Sequence, residues 1–306
     1  MRQATLLERL HAAPAWGIAG VLAIACAQAA EVGPSEHRGH VSVDYQFVHV
    51  DGFEASTGKR DIGTTDSHSL HFELGYALTD RLTLSVGLPL VRKRYKGDAP
   101  HDPLSIVPPA DQENIDDGKY RTEFQDWHFG ASYRAWETAS FSVSPFVAFG
   151  IPSNDYPFFA HAAVGQNLWK FDVGAELMYV PALYYFYARL APSYVFVEET
   201  KGVNIDHWRI NGEVGYFFND RISGKVFTIV KEGHGLRSPE DFPVRNDDFW
   251  FHHDQMIKHN FVNAGLGLDW QITPIHRVNV SWMTMVHADN VHIMKYALTL
   301  GWSTSF

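Results

Sequence analysis

From Gly39 onward, apolar and polar residues alternate with a period of two, the spacing of a β-strand that has one face against an apolar medium. Leu70, Phe72, Leu74, Tyr76 and Leu78 alternate with Ser69, His71, Glu73, Gly75 and Ala77. Leu82, Leu84, Val86, Leu88 and Leu90 follow after only Thr79, Asp80 and Arg81, so the two runs predict a hairpin with a tight turn. Trp127, Phe129, Ala131 and Tyr133 repeat the pattern against Asp126, His128, Gly130, Ser132 and Arg134. Trp208, Ile210, Val214, Tyr216 and Phe218 do so against His207, Arg209, Asn211, Glu213 and Gly215.

About twelve strands are predicted, near 40–50, 67–78, 82–93, 122–135, 141–150, 168–179, 184–197, 207–218, 222–231, 258–271, 278–286 and 293–306. Such alternation would also suit a soluble sandwich with one wet face. The connections decide against it. One set is short: Thr79–Arg81, Trp136–Ser140, Val180–Leu183, Asn219–Arg221 and Thr273–Arg277. The other is mostly long, with Arg94–Arg121 and Glu232–Ile257 the longest. Short periplasmic turns opposite long extracellular loops predict an all-β fold, a closed antiparallel transmembrane β-barrel. Closure follows because hydrocarbon leaves no partner for an open strand edge. Aromatic residues beside the short turns (Tyr76, Trp136, Phe141, Tyr184, Phe218, Trp270 and Trp302) fit an interfacial belt. Pro89, Pro145 and Pro192 fall inside predicted strands and each lacks a ladder donor, so bulges or strand ends are expected there.

Composition agrees. Apolar residues are 45% of the 306, yet the region after the leader has no run of roughly 20 apolar residues. A helical membrane protein is thereby excluded. Arg2 and Arg9, an apolar run from Ala12 to Cys26 and the triplet Ala27, Gln28, Ala29 have the order of a secretory signal peptide, with cleavage expected after Ala29. Residues 1–29 are therefore read as leader and 30–306 as barrel. Cys26, the only cysteine, lies in that leader, where Ala23, Ile24 and Ala25 match a lipoprotein box poorly; the mature chain then carries no thiol into an oxidising compartment. Loss of Arg2, Arg9 and Glu8 takes the formal charge from −10 to −11, which disfavours nucleic acid as a partner.

The final run places Tyr296, Leu298, Leu300, Trp302, Thr304 and Phe306 on one face. It looks like the C-terminal signal read by the outer-membrane assembly machinery, so that machinery and outer-membrane lipids are expected partners. The stretch LGYALTDRLTLSVGLPLVRKRYK, from Leu74 to Lys96, resembles the meta-pathway phenol-degradation family of outer-membrane proteins. FQDWHFGASYRAW and SVSPFVAFGIPSNDYP look like that family's next hairpin and its Pro-containing loop. The resemblance implies a barrel encoded near aromatic-compound breakdown, with a role in uptake. It carries over no functional residues.

The inward register contains Asp44, Glu73, His128, Arg134, Arg209, Glu213, Lys225, Asp269 and Lys295. These side chains either line a pore that sorts solutes by charge or pair and fill a narrow interior. His252, His253 and His259 share a predicted outer loop with Asp247, Asp248 and Asp254, and His287 and His292 occupy the next with Asp289; imidazole with carboxylate is the donor set of zinc or copper, but no spacing here is a ligand motif. Asp66, Ser67, His68 and Ser69 hold the residue types of a lipid hydrolase, yet adjacent strand residues face opposite sides and cannot form a triad alone. The expected function is non-enzymatic, without a cofactor: a porin-like channel for passive passage of a small solute, hydrophobic or aromatic on the family analogy. The alternative is a closed barrel whose loops bind or serve the envelope.

Overall fold

The computed structural model describes residues 38–97, 115–181, 185–237, 241–242 and 247–306. The predicted leader and Tyr184 lie outside the described residues. The strands are β1 (Gly39–Ala55), β2 (Gly58–Ala77), β3 (Leu82–Lys96), β4 (Arg121–Phe124), β5 (Asp126–Tyr133), β6 (Trp136–Glu137), β7 (Phe141–Pro152), β8 (Lys170–Tyr179), β9 (Phe186–Val197), β10 (His207–Phe217), β11 (Ile222–Gly233), β12 (Asn260–Gln271), β13 (His276–Asp289) and β14 (Val291–Ser305). Two short helices, α1 (Asp248–Phe251) and α2 (His253–Met256), precede β12.

Each strand pairs antiparallel with its sequence neighbours, and β4, β5 and β6 are pieces of one strand, so the sheet is a closed barrel of twelve. The seam joins β1 to β14, from His40 opposite Ser305 to Glu54 opposite Val291. At its foot, Gly39 and Phe306 exchange two backbone hydrogen bonds of 2.9 Å. The Phe306 ring lies where a side chain on residue 39 would stand, 2.3 Å from an added Cβ, so any larger residue there would displace the ring.

The short turns share one device. The Thr79 hydroxyl accepts the N–H of Leu82 at 2.9 Å, Thr138 that of Phe141 at 3.1 Å, and Thr273 that of His276 at 3.1 Å. Asn219 does the same for Ile222 at 2.9 Å through its side-chain carbonyl. A Thr or Asn oxygen that replaces a backbone acceptor closes the reversal without a long loop.

Two of the prolines break the strand beside them rather than their own. Between Gly87–His128 and Leu90–Phe124, β3 spends two residues and its partner three, with the extra residue near Gln125, whose N–H reaches the Pro89 carbonyl at 2.9 Å. Between Phe146–Ser132 and Val143–Trp136 the same mismatch sits opposite Pro145. A missing donor on one strand is absorbed as a bulge on the next. At Pro192 no register changes: β9 runs through, and only the pairing with β8 lapses around Ala175 and Glu176.

At the long-loop end two connections are tight. β1 and β2 continue to a turn at Ser56 and Thr57, and β13 turns into β14 at Asn290, which has φ +57°. His287, Asp289 and His292 therefore sit on the strands of a hairpin, which corrects their expected loop placement. Asn290 is fully buried, and its amide donates to the Lys258 carbonyl at 3.0 Å. Residues 153–169 pack with α1 over this end: Phe158, Phe159, Ala160, Ala162, Ala163 and Phe251 form a buried cluster with Tyr95 and Ile115.

Outward faces are exposed and apolar. Tyr76, Trp136, Phe218, Trp270 and Trp302 ring the short-turn end, each 39–59% exposed. A second set, Trp127, Trp169 and Trp208, lies near the long-loop end of β5, β8 and β10. Among the described residues no helix is long and apolar enough to cross a membrane.

Candidate functional site: the barrel interior

Inside, the alternation delivers polar side chains. Tyr187 of β9 lies over Gly215, where an added Cβ would meet its ring at 2.1 Å, and its hydroxyl donates to Glu213 at 2.5 Å. Arg189 donates to the other Glu213 oxygen at 3.1 Å and reaches Glu176 at 3.7 Å. Lys225 stands 3.8 Å from Glu213 and 3.1 Å from Asp269. One continuous ion-pair chain thus crosses β8, β9, β10, β11 and β12, with Glu213 at its centre.

Nearer the long-loop end are two further pairs. Lys170 reaches Asp126 at 3.3 Å, and Arg209 donates to Asp172. The Tyr156 hydroxyl, from the loop after β7, donates to the same Asp126 and ties the cap to the lumen. Lys231 is the cross-strand neighbour of Arg209, and no carboxylate among the described residues comes within ion-pair distance of it.

These charges are nearly inaccessible: the side chains of Lys170 and Asp126 are 3% and 4% exposed, those of Arg189 and Glu213 5% and 3%. At this level the lumen is filled by its own side chains. A pocket of about 30 Å³ opens at the short-turn end beside Tyr187, Phe217, Asp269 and Arg277, room for about two waters. Above the ion-pair chain, on the β11 to β1 side, Val48, Ile229, Met283, Met294 and Ala297 form an apolar patch with Phe227 and Phe261 against it. Polar and greasy surfaces therefore share one interior.

Of the predicted lining, Asp44, Arg209, Glu213, Lys225 and Asp269 are buried inside. Asp44 lies over Gly301 beside Asn279. Glu73 is inside at the short-turn end, 3.4 Å from His40, and His128 is inward and half-buried. Arg134 sits at the short-turn rim, 3.4 Å from Glu137. Lys295 is a correction. It is skipped between Tyr296, opposite His49, and Met294, opposite Val50; this bulge turns Met294 inward and leaves Lys295 exposed at the rim, 3.4 Å from Asp51. The sequence reading missed Asp172, Glu176, Arg189, Lys170 and Lys231, although the outward Val173 and Leu190 put the first three on the inner register.

Leu298, Leu300, Trp302 and Phe306 face outward, each 39–56% exposed, and Tyr296 packs against Phe47 and His49. The histidines do not assemble into a metal centre: among the described residues no three His, Cys, Asp or Glu side chains converge as one. The His252 and His253 rings instead bond the Asp248 and Trp250 carbonyls at 2.8 and 2.7 Å. Ser67 and Ser69 are buried inside while His68 faces out, its two ring nitrogens against the Tyr45 and Tyr120 hydroxyls at 2.7 and 3.2 Å.

His259, between α2 and β12, is pushed down to about 3 by burial first, then by Lys231, His292 and His253 against the opposing effect of Asp254. Unfolded, it would titrate near 6.5. A depressed histidine contributes stability that is present above its unfolded value and lost as pH falls toward its folded one. The cap is thus expected to loosen between about pH 6.5 and 3, and His259→Asn to flatten that dependence, read by protease cleavage within residues 247–259 at pH 7 and pH 4.

The sequence matches none of the curated proteins. Among solved structures, it is similar to the COG4313 outer membrane channel from Pseudomonas putida F1, with 16% identity, a TM-score of 0.67, and coverage of 90% of this chain and 100% of that one. The NanC porin is more distant, with 9% identity, a TM-score of 0.52, and coverage of 88% and 100%. The fold is that of an outer-membrane β-barrel. A family model matches residues 71–292, more than half of the chain, and the protein belongs to the family described as "Putative MetA-pathway of phenol degradation".

Proposed function

We propose that the protein is a passive outer-membrane channel for a small solute with an apolar body and a polar or acidic group. The observation that carries this reading is the row of ionisable side chains inside the spanning strands. Charges within a membrane are costly and by default mark a path for solutes, whereas a purely structural barrel could fill its interior with apolar residues. The apolar patch, with Lys231 two residues from its Ile229 on the same face of β11, supplies both halves of an amphipathic site. The family description, phenol degradation, names chemistry of that kind.

In this reading residues 1–29 are a cleaved leader, the short turns face the periplasm, and the long loops face outward. Leu298, Leu300, Trp302 and Phe306 present the assembly signal, and outer-membrane lipids surround the exposed belt. Passage requires the cap to lift and side chains of the ion-pair chain to shift. No catalytic role is assigned to any residue.

The filled lumen favours one competing reading, a closed barrel that works through its loops. Single-channel recording separates the two. Purified protein in planar bilayers is expected to conduct, and Lys231→Gln to shift the reversal potential toward cations. Absence of both conductance and solute flux would sink the channel.

A further inference from the structure

On the outer wall of β1, β2 and β3, the lipid-facing register ends abruptly. One row across the sheet is Tyr45, Leu70, Leu90 and Phe124; the next is Phe47, His68, Arg92 and Thr122; the one above is His49, Asp66 and Arg94, with Tyr120 just before the start of β4. Arg92, Arg94 and Lys96 alternate along β3 on this face, continuing the line of Leu84, Val86, Leu88 and Leu90. Three cations in that line, on a chain of net charge −10, stand directly above an apolar wall.

Arg94 and Arg92 are arranged differently. Arg94 is held by Asp66 at 2.9 Å, and Asp66 in turn meets His49 at 2.8 Å. Arg92 is exposed, and no carboxylate among the described residues pairs with it. Both guanidinium carbons lie 4.4 Å from the centre of the Tyr120 ring. The Tyr45–His68–Tyr120 hydrogen-bond chain fixes that ring from below. On β5 and at the starts of β8 and β10 the same rim instead carries Trp127, Trp169 and Trp208.

We infer that this face binds a phosphate-bearing glycolipid of the leaflet at the long-loop end, its phosphates against Arg92 and Lys96 and its acyl chains down the Leu84–Leu90 column. Guanidinium suits phosphate because its fork of donors matches the phosphate oxygens, and pre-placement on an aromatic ring lowers the entropy cost of binding. Arg92 and Lys96 stand four residues apart on one face of β3, about 13 Å along the strand, a spacing that suits two phosphates in series. The orientation of the barrel rests on the proposal above, but the binding does not depend on conduction: a silent barrel that holds the lipid would leave this inference standing.

The test is native mass spectrometry of the full-length barrel with diphosphorylated lipid A, its dephosphorylated counterpart, and inorganic phosphate as separate probes. The diphosphorylated lipid is expected to bind at least tenfold more tightly than the dephosphorylated one, and Arg92→Gln with Lys96→Gln to abolish that preference. Arg92→Gln alone, at an exposed side chain with no ion partner, keeps the test open if the double variant does not assemble; a several-fold loss is expected. Arg60→Gln, on the β1–β2 hairpin, is expected to change nothing. Equal binding of the two lipids, an unaffected Arg92 variant, or inorganic phosphate binding as tightly as the lipid would overturn the inference.

Discussion

Replacing Glu213 with alanine is expected to cost about 3–5 kcal/mol of barrel stability, because removing one member of a buried ion pair leaves its partners charged and unmatched. Glu213 answers to three groups at once: Arg189 at 3.1 Å, Tyr187 at 2.5 Å and Lys225 at 3.8 Å. Its removal strands Lys225 on Asp269 alone and Arg189 on the longer Glu176 contact. The comparison that makes the mechanism visible is Lys225→Met with Asp269→Leu. That pair removes one cation and one anion together and fills the space, so it should stay close to wild type. Urea unfolding in lipid vesicles reads both. If Glu213→Ala costs no more than the double replacement, the ion-pair chain is filler rather than structure. The same two variants in bilayer recordings report whether thinning the chain raises conductance.

The second large effect lies on the opposite face. Leu266 is 56% exposed midway along β12, between Val226 and Trp282 on neighbouring strands. In a membrane that exposure is contact with lipid, and Leu266→Arg is expected to cost about 2–4 kcal/mol, the depth-dependent penalty of a cation near the bilayer centre. Leu266→Ala removes area without adding charge and should cost clearly less. In a soluble sandwich the order would reverse, with arginine on an exposed face nearly neutral. The experiment therefore tests the solvent as well as the residue.

The spanning parts of the strands were legible because one face touches lipid. The run Leu82–Leu90 needs no partner strand to declare its register, and β3 duly begins at Leu82. The upper β1–β2 hairpin was not legible for the converse reason. Residues 51–66 extend beyond the apolar belt, so no medium imposes alternation on Gly52, Ser56, Lys59 or Arg60, and hairpin pairing alone holds them. Lys295 shows a different limit. Its parity with Ala297 is correct in sequence, but one bulged residue inverts the faces above it, and a bulge has no signature in the alternation itself.

The candidate site was half legible. Asp44, Arg209, Glu213, Lys225 and Asp269 could be placed inside from parity alone. Their pairing could not, because Lys225 meets Glu213 and Asp269 only through the stagger of β11 against β10 and β12. Glu176 and Arg189 lay in strands whose parity was equally readable. The prolines were read correctly as points of disruption at Pro89 and Pro145, but the disruption fell on the strand between them. A missing N–H is felt by whichever chain had expected to receive it.

The β1–β14 seam also bears on the order in which the barrel comes together. Every other neighbouring pair is a hairpin or a link of local length, whereas His40 and Ser305 are separated by almost the whole chain. Joining them carries the largest loop-closure entropy in the molecule and contributes nothing until the intervening strands are in place. Up to that moment β1 and β14 each present a full row of unmatched amides, a template for another chain as much as for one another. The seam is thus the last contact to form and the step most exposed to misassembly.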